Sequence, residues 1–180
     1  MTYVTMDGMV LEIFALSILR TGAVHGYELK RRVQRPSLTA LSNNSLYPML
    51  RRFEIDGLVT KAKEPQEGKP DRNVYAITDA GVERLRELLC TLPPGIASSE
   101  EEFLVRVGFF QEIPEANQRA IIAAREAYLA SSRARVAELL AGLAASRKSQ
   151  WRERVLNHVV ETIENEQTWI ATLAEKAVSP

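Results

Sequence analysis

Apolar and polar positions along this chain follow two rhythms, and the change between them marks its organisation. Val10, Leu11, Ile13, Phe14, Leu16, Ile18 and Leu19 are dense enough for a buried helix, and Thr21-Gly22 supplies C-terminal capping chemistry. A second helix is expected from about Gly26 to Val33. Its apolar positions are Tyr27, Leu29 and Val33, its outer face carries Lys30, Arg31 and Arg32, and Pro36-Ser37 closes it. A third begins near Ser42 to Asn44, residue types whose side-chain oxygens accept from unpaired backbone N–H groups. Leu46, Met49, Leu50 and Phe53 then recur at helical spacing until Gly57. Pro48 conflicts with that pattern unless the helix starts at about Asn44 or Ser45, or is locally irregular. The rhythm then shortens. Leu58 to Lys63 and Asn73 to Thr78 read as strands flanking the polar stretch 64–71, a β-hairpin with a long tip. Thr78-Asp79 starts a further helix to about Leu92.

Pro93-Pro94-Gly95 is the best boundary, and no strand pattern follows it. The expected organisation is a domain over residues 1–92 and a helical domain over 96–180. Glu100 to Glu112 reads as helical, and Pro114 suits a helix start. A helix of roughly 30 residues, long by globular standards, runs from Glu115 to about Ala145. Ala144 to Ser149 is a turn, and a last helix spans about Gln150 to Lys176. Along it Val155, Val159, Thr162 or Ile163, Glu166, Ile170 and Leu173 step by three or four, a heptad-like stripe.

Three helices followed by a two-stranded hairpin is the order of a winged helix-turn-helix, so the fold class is mainly α, a winged domain followed by an all-helical one. The third helix can be tested by its faces at about 100° per residue. Leu46, Met49, Leu50 and Phe53 form one apolar stripe. Asn44, Tyr47, Pro48 and Arg51 point away from it, Arg52 flanks that outer face, and Ile55 sits opposite the stripe. Asparagine, tyrosine and arginine on a helix that fits the major groove are the residue types that meet base edges and phosphates. A solvated face of a small core helix has the same pattern. The basic second helix and the tip residues Lys69 and Arg72 favour nucleic acid.

Composition sharpens this picture by exclusion. The 180 residues suit one or two domains. The 46% hydrophobic and 26% charged content argues against a disordered chain. No apolar run is long enough to span a bilayer, and the first twelve residues lack the basic start of a secretory signal, so the expected compartment is the cytoplasm, with no membrane partner. The single cysteine, Cys90, cannot make an internal disulfide, and His25 and His158 stand alone, so no metal or cofactor is expected. The 23 cations balance 23 anions, yet residues 20–72 hold eleven cations against six anions, while 93–180 hold ten against twelve. A basic segment followed by a mildly acidic one suits a nucleic-acid module attached to another domain. Scattered glycines form no phosphate loop, and the carboxylates, Glu100-Glu101-Glu102 among them, read as solvated helix faces, so no enzyme is expected.

The first domain resembles the PadR family of bacterial transcriptional regulators. The resemblance rests on His25-Gly26-Tyr27-Glu28-Leu29, on Ser45-Leu46-Tyr47-Pro48-Met49-Leu50-Arg51-Arg52-Phe53-Glu54, on Gly57-Leu58-Val59, and on Arg72-Asn73-Val74-Tyr75-Ala76-Ile77-Thr78-Asp79-Ala80-Gly81. It covers about residues 9–92, and the tail is similar to that of longer-tailed members. It implies a repressor that binds double-stranded operator DNA through recognition helix 44–56 and wing 58–78. The DNA-binding set is then Tyr27, Lys30, Asn44, Ser45, Tyr47, Arg51, Arg52, Lys69 and Arg72. The wing tip Gly68-Lys69-Pro70-Asp71 is less basic than in many members. His25 is either a phosphate contact or a cap or packing residue, and Tyr75 is expected to pack. The resemblance further implies a homodimer formed by the tail helices, an inverted-repeat operator with half-sites about 34 Å apart, and affinity that falls steeply with salt. Phe109, Phe110, Tyr128, Trp151 and Trp169 either line a pocket for an aromatic effector or pack in a core. The readings from other classes are a protein-interaction module and a small-molecule sensor that does not bind DNA specifically.

Overall fold

A helix that is apolar on most sides has to be enclosed, and the first helix imposes this on its surroundings. In the computed structural model, which describes residues 7–33, 43–66, 69–144 and 150–176, α1 spans Asp7–Arg20 and buries Val10, Leu11, Ile13, Ala15, Leu16 and Leu19. The N–H groups of Thr21 and Gly22 donate to the carbonyls of Ile18 and Leu19, closing the helix. Strand β1 (Val24–His25) and helix α2 (Gly26–Val33) follow, the latter burying Leu29 and Val33. Pro36, Ser37 and Ser42 lie outside the described residues.

Helix α3 spans Asn43–Ile55 and keeps Pro48 in its second turn. Proline has no N–H, so one helical donor, the one toward the Asn44 carbonyl, is missing there. The helix starts at Asn43, close to the expected Asn44 or Ser45, and tolerates the proline beyond its first turn. Its end is a Schellman motif: Gly57 has φ +71°, its N–H donates to the Glu54 carbonyl at 3.3 Å, and the Leu58 N–H donates to the Phe53 carbonyl at 2.8 Å.

Strands β2 (Val59–Gln66) and β3 (Lys69–Ile77) pair antiparallel from Val59↔Ile77 to Gln66↔Lys69. The long polar tip expected over 64–71 is corrected here, because most of it is strand. Pro65 is accommodated by a register irregularity between Glu64 and Gln66 on an edge strand, where proline is permitted. The sheet also has a third strand that two residues cannot announce in sequence. β1 pairs with β3 through Val24↔Tyr75 and His25↔Val74, giving the order β1-β3-β2.

Helix α4 (Asp79–Cys90) opens on Thr78, whose hydroxyl accepts from the Gly81 N–H at 3.1 Å and donates to the Gly57 carbonyl at 2.7 Å. That contact draws α4 against the α3–β2 turn. A Cβ at Gly81 would stand 2.2 Å from the Leu58 carbonyl oxygen and 2.7 Å from Ile77 Cγ1.

The chain divides into two compact units between Leu89 and Cys90. The second contains α5 (Glu100–Gly108), a 3-10 turn (Phe110–Glu112), α6 (Glu115–Ala144) and α7 (Gln150–Lys176). The Ser99 hydroxyl caps α5 by accepting from the Glu102 N–H at 3.2 Å. Of the expected turn over 144–149, Ala144 is the last residue of α6 and the rest lies outside the described residues. Phe103, Ile121, Ile122, Leu129, Ile163 and Ile170 are buried. One expectation is overturned here. Glu102 is 1% exposed rather than solvated, and it pairs at 2.6 Å with the equally buried Arg106, whose Nε also donates to the Thr91 carbonyl. Arg125 is buried as well. It grips Glu166 through two bonds of 2.7 and 2.8 Å and donates to the Ala97 carbonyl at 2.6 Å.

Two outcomes follow from this packing. Gly81→Ala pushes a methyl into backbone and should lower stability by about 1–3 kcal/mol in urea unfolding; an unchanged midpoint is incompatible with the close approach. Tyr75 is buried in β3, and burial, with Glu54 and Tyr47 nearby, raises its phenol above the ordinary value near 10. A raised acid favours the neutral form in the folded state. Its contribution is therefore intact below about pH 10 and is lost as pH rises further. Stability measured from pH 8 to 11 should fall more steeply for the wild type than for Tyr75→Phe.

Candidate nucleic-acid interface

The packing of α3 decides which of its side chains reach solvent. Leu46, Met49, Leu50 and Phe53 are buried in the unit's core. The opposite face is therefore presented outward: Tyr47 is 48% and Ile55 75% exposed, and Pro48 and Arg51 are also exposed. Arg51 makes no ion pair among the described residues. The side chains of Asn44 and Ser45 lie outside the described residues.

Gly26 explains how Tyr47 is held. A Cβ there would lie 3.2 Å from the Tyr75 ring and 3.6 Å from the Tyr47 ring. Its absence lets both rings close over the start of α2, so Tyr47 leans on that junction while half its surface faces outward. One residue further, Tyr27 is 75% exposed. Lys30 is half-buried, Arg31 pairs with Glu28 at 2.9 Å, and the Arg32 guanidinium reaches the Thr21 hydroxyl at 3.4 Å. Tyr27 and Tyr47 are thus brought to one junction.

Arg52 is placed differently from its neighbour. Its guanidinium donates to Glu12 of α1 and lies 5.9 Å from the Phe53 ring centre. Glu12 is 3% exposed, and its second oxygen accepts from Arg84 of α4 at 3.4 Å. Sequence reasoning missed Glu12, although a lone carboxylate inside Val10-Leu11-Glu12-Ile13-Phe14 is a readable signal. A charge in an apolar run needs a partner.

On the wing, Arg72 Nε donates to Glu64 at 3.1 Å, and the same carboxylate oxygen lies 3.5 Å from His25 Nδ1. Lys61 approaches Glu54 at 3.8 Å, and Lys63 is exposed. Lys61 and Lys63 stand two residues apart and so project from one face of β2. They are wing cations that the candidate set omits. The Lys69 side chain lies outside the described residues.

The tail aromatics do not form a single cluster. Trp169 meets Phe103 edge-on at 6.0 Å, and the Arg125 guanidinium lies over both Phe103 and Tyr128, 5.8 and 5.3 Å from their centres. Phe109 and Phe110 are half-buried at the end of α5, where Gln118 donates to the Phe110 carbonyl. Trp151 is 18 residues from Trp169 on the same helix, a rise of about 27 Å. It is 75% exposed and borders an open apolar groove of about 460 Å³ with Leu139, Leu143 and Val155. Among the described residues, no group of three or more acidic, histidine or cysteine side chains could hold a metal, and no helix is long and apolar enough to cross a membrane.

Of the comparisons with known proteins, the family match falls within the first unit. The family model described as the transcriptional regulator PadR-like family matches residues 15–87. The negative transcriptional regulator PadR of Bacillus subtilis is 24% identical over 102 residues, which span 56% of this chain and 56% of that protein. Among solved structures, Bacillus subtilis PadR in complex with operator DNA is 19% identical, covering 93% of this chain and 99% of that one with a TM-score of 0.44. A PadR-like transcriptional regulator from Bacillus cereus is 36% identical, covering 43% of this chain and 76% of that one with a TM-score of 0.38. Residues 15–87, which carry the end of α1, helices α2 and α3, the wing and most of α4, match the PadR-like family of transcriptional regulators.

Proposed function

We propose that this protein is a dimeric, DNA-binding transcriptional repressor of the PadR type, not an enzyme, acting in the cytoplasm on an inverted-repeat operator. The observation that carries the reading is the outward ridge of α3. Tyr47, Arg51 and Ile55 are exposed opposite a fully packed stripe, beside exposed Tyr27. Arginine there can meet guanine edges or phosphate, tyrosine can meet phosphate, and Ile55 can meet a thymine methyl. Asn44, Ser45 and Lys69 belong to the same set by their places on the helix and the wing. The relation to a negative regulator supports repression.

In this reading the first unit binds DNA and the second joins two copies. What supports the second role is the outer face of α6. Ala116, Ala120, Ala123, Ala127, Ala130, Ala134, Ala137 and Ala141 recur at alternating steps of four and three, and all are exposed. That is a heptad seam without large side chains, and it suits close packing of a second helix. Two antiparallel copies in full overlap would bring Glu126 of each beside Arg133 of the other. Release by a small aromatic effector is the further part of the reading, with Tyr128 and Trp169, gathered around Phe103 and Arg125, the tail aromatics best placed to take it.

Selection of duplexes from a random pool should return a palindrome. Affinity for the selected duplex should fall steeply with salt, and Arg51→Ala should weaken it by about 1–3 kcal/mol with a salt slope smaller by about 1. Binding to protein partners with no salt-dependent duplex affinity would instead identify an interaction module. Ala127→Glu with Ala134→Glu, which sets like charges against each other across that seam, should convert the dimer to a monomer in sedimentation, and a dimer that survives both changes would place the interface elsewhere.

A further inference from the structure

Among the described residues of the first unit, Glu12 is the one charged side chain that the core encloses. It lies on α1, far from the outward ridge in sequence, and it faces two other helices. One carboxylate oxygen accepts from Arg52 of α3 and the other from Arg84 of α4 at 3.4 Å. Arg51 and Arg52 are adjacent, so on a helix they diverge by about 100°. Arg51 is exposed, while Arg52, its side chain 37% exposed, turns to Glu12. Two neighbouring arginines on one helix therefore do different work. A guanidinium turned to a carboxylate has less of its charge to offer a phosphate, and it releases fewer counterions on binding. What it offers is orientation, because a planar fork fixed at the helix flank limits rotation about the helix axis.

We propose that Glu12 is the positioning residue of the recognition helix. It withdraws Arg52 from the DNA and uses it as a brace that sets the rotation of α3, so that Arg51 and Tyr47 meet the base edges in register. This rests on the DNA-binding reading of α3 above.

The test uses the full chain with its selected duplex and an unrelated duplex of equal length, each titrated across salt. Arg51→Ala should flatten the logarithmic salt slope by about 1. Arg52→Met, which keeps the apolar stem and drops the charge, should leave the slope unchanged. It should also cut the ratio of selected to unrelated affinity about tenfold, a well-placed base contact's worth of discrimination. Glu12→Gln should lower the ratio as well, and should steepen the slope by about 0.9 because Arg52 is set free to reach phosphate. If Glu12→Gln does not fold, Arg52→Met alone decides. Urea unfolding of the two single variants and the double should be non-additive, with the double losing little more than the worse single.

The proposal is overturned if Arg52→Met flattens the slope as Arg51→Ala does, which makes Arg52 a phosphate contact. It is equally overturned if Arg52→Met retains the full affinity ratio, which makes the ion pair a stabiliser of the fold alone. If the wild type selects no duplex and binds without salt dependence, the DNA reading fails and this one falls with it. The unfolding cycle then still reports whether Glu12 and Arg52 act as a unit.

Discussion

A carboxylate inside the core of the first unit is the constraint on which its arrangement depends. Taking Glu12 out of water is unfavourable by several kcal/mol unless its charge and its lone pairs are answered. The answers come from α3 and α4, through Arg52 and Arg84. Three helices are thereby tied at one point that only a particular mutual rotation satisfies. Hydrophobic burial of Leu46, Leu50 and Phe53 fixes which face of α3 turns inward, and the ion pair adds a directional contact to it. Ion-pair geometry is directional where apolar contact is not. On the proposed function, selectivity of α3 needs that directionality more than it needs stability, since a base edge is met or missed over about an ångström.

The second unit uses the same device differently. Arg125 fills both oxygens of Glu166 and reaches the Ala97 carbonyl, so one buried guanidinium joins α6 to α7 and to the segment before α5. Arg106 folds back on Glu102 one turn earlier on its own helix and secures the Thr91 carbonyl. These pairs sit where the helices bury their broad faces. The outer face of α6 carries alanine instead, and Leu139, Trp151 and Val155 are left exposed toward the far end of the helix pair. On the proposed function, a helical unit held internally by charge and faced along α6 with small apolar residues has its cohesion and its adhesion on different faces.

Much of this was legible in the sequence, and the illegible remainder has a common cause. The spacings of Val10 to Leu19, of Leu46 to Phe53 and of the tail located five helices, because burial on one face leaves a period. Gly57 marked the end of α3 because a left-handed residue is required there. Strand β1 left no trace, since Val24-His25 is too short for a period and exists only because β3 offers an edge. The wing strands ran past their expected ends, since ladder hydrogen bonds continue through Glu64, Gln66, Lys69 and Arg72 whatever their polarity. Glu102 misled for a related reason. Three consecutive glutamates read as a solvated face, yet one of them points inward, and only its partner four residues on, Arg106, gives it away. In the candidate site the outward places of Tyr47 and Arg51 followed from the helical wheel. The inward commitment of Arg52 did not, because its partner is 40 residues earlier in the chain.

Local pairing also bears on how a chain of zero net charge can hold DNA. The basic segment 20–72 carries an excess of cations, but several face carboxylates in the folded unit: Arg31 with Glu28, Arg52 with Glu12, Lys61 with Glu54, and Arg72 with Glu64. On the proposed function, the exposed pairs would be exchanged when phosphate arrives, a carboxylate partner for a phosphate one. Exposed pairs hold by only about 0–1 kcal/mol, so the exchange is inexpensive. Its gain is small for the same reason, and such a surface has weak affinity for duplex in general. Binding strength must then come from contacts made only on the right sequence, and from doubling those contacts in a two-fold assembly. Near-neutral charge is in this sense compatible with a DNA-binding unit, because it suppresses the sequence-independent part of the affinity against which a specific operator has to compete.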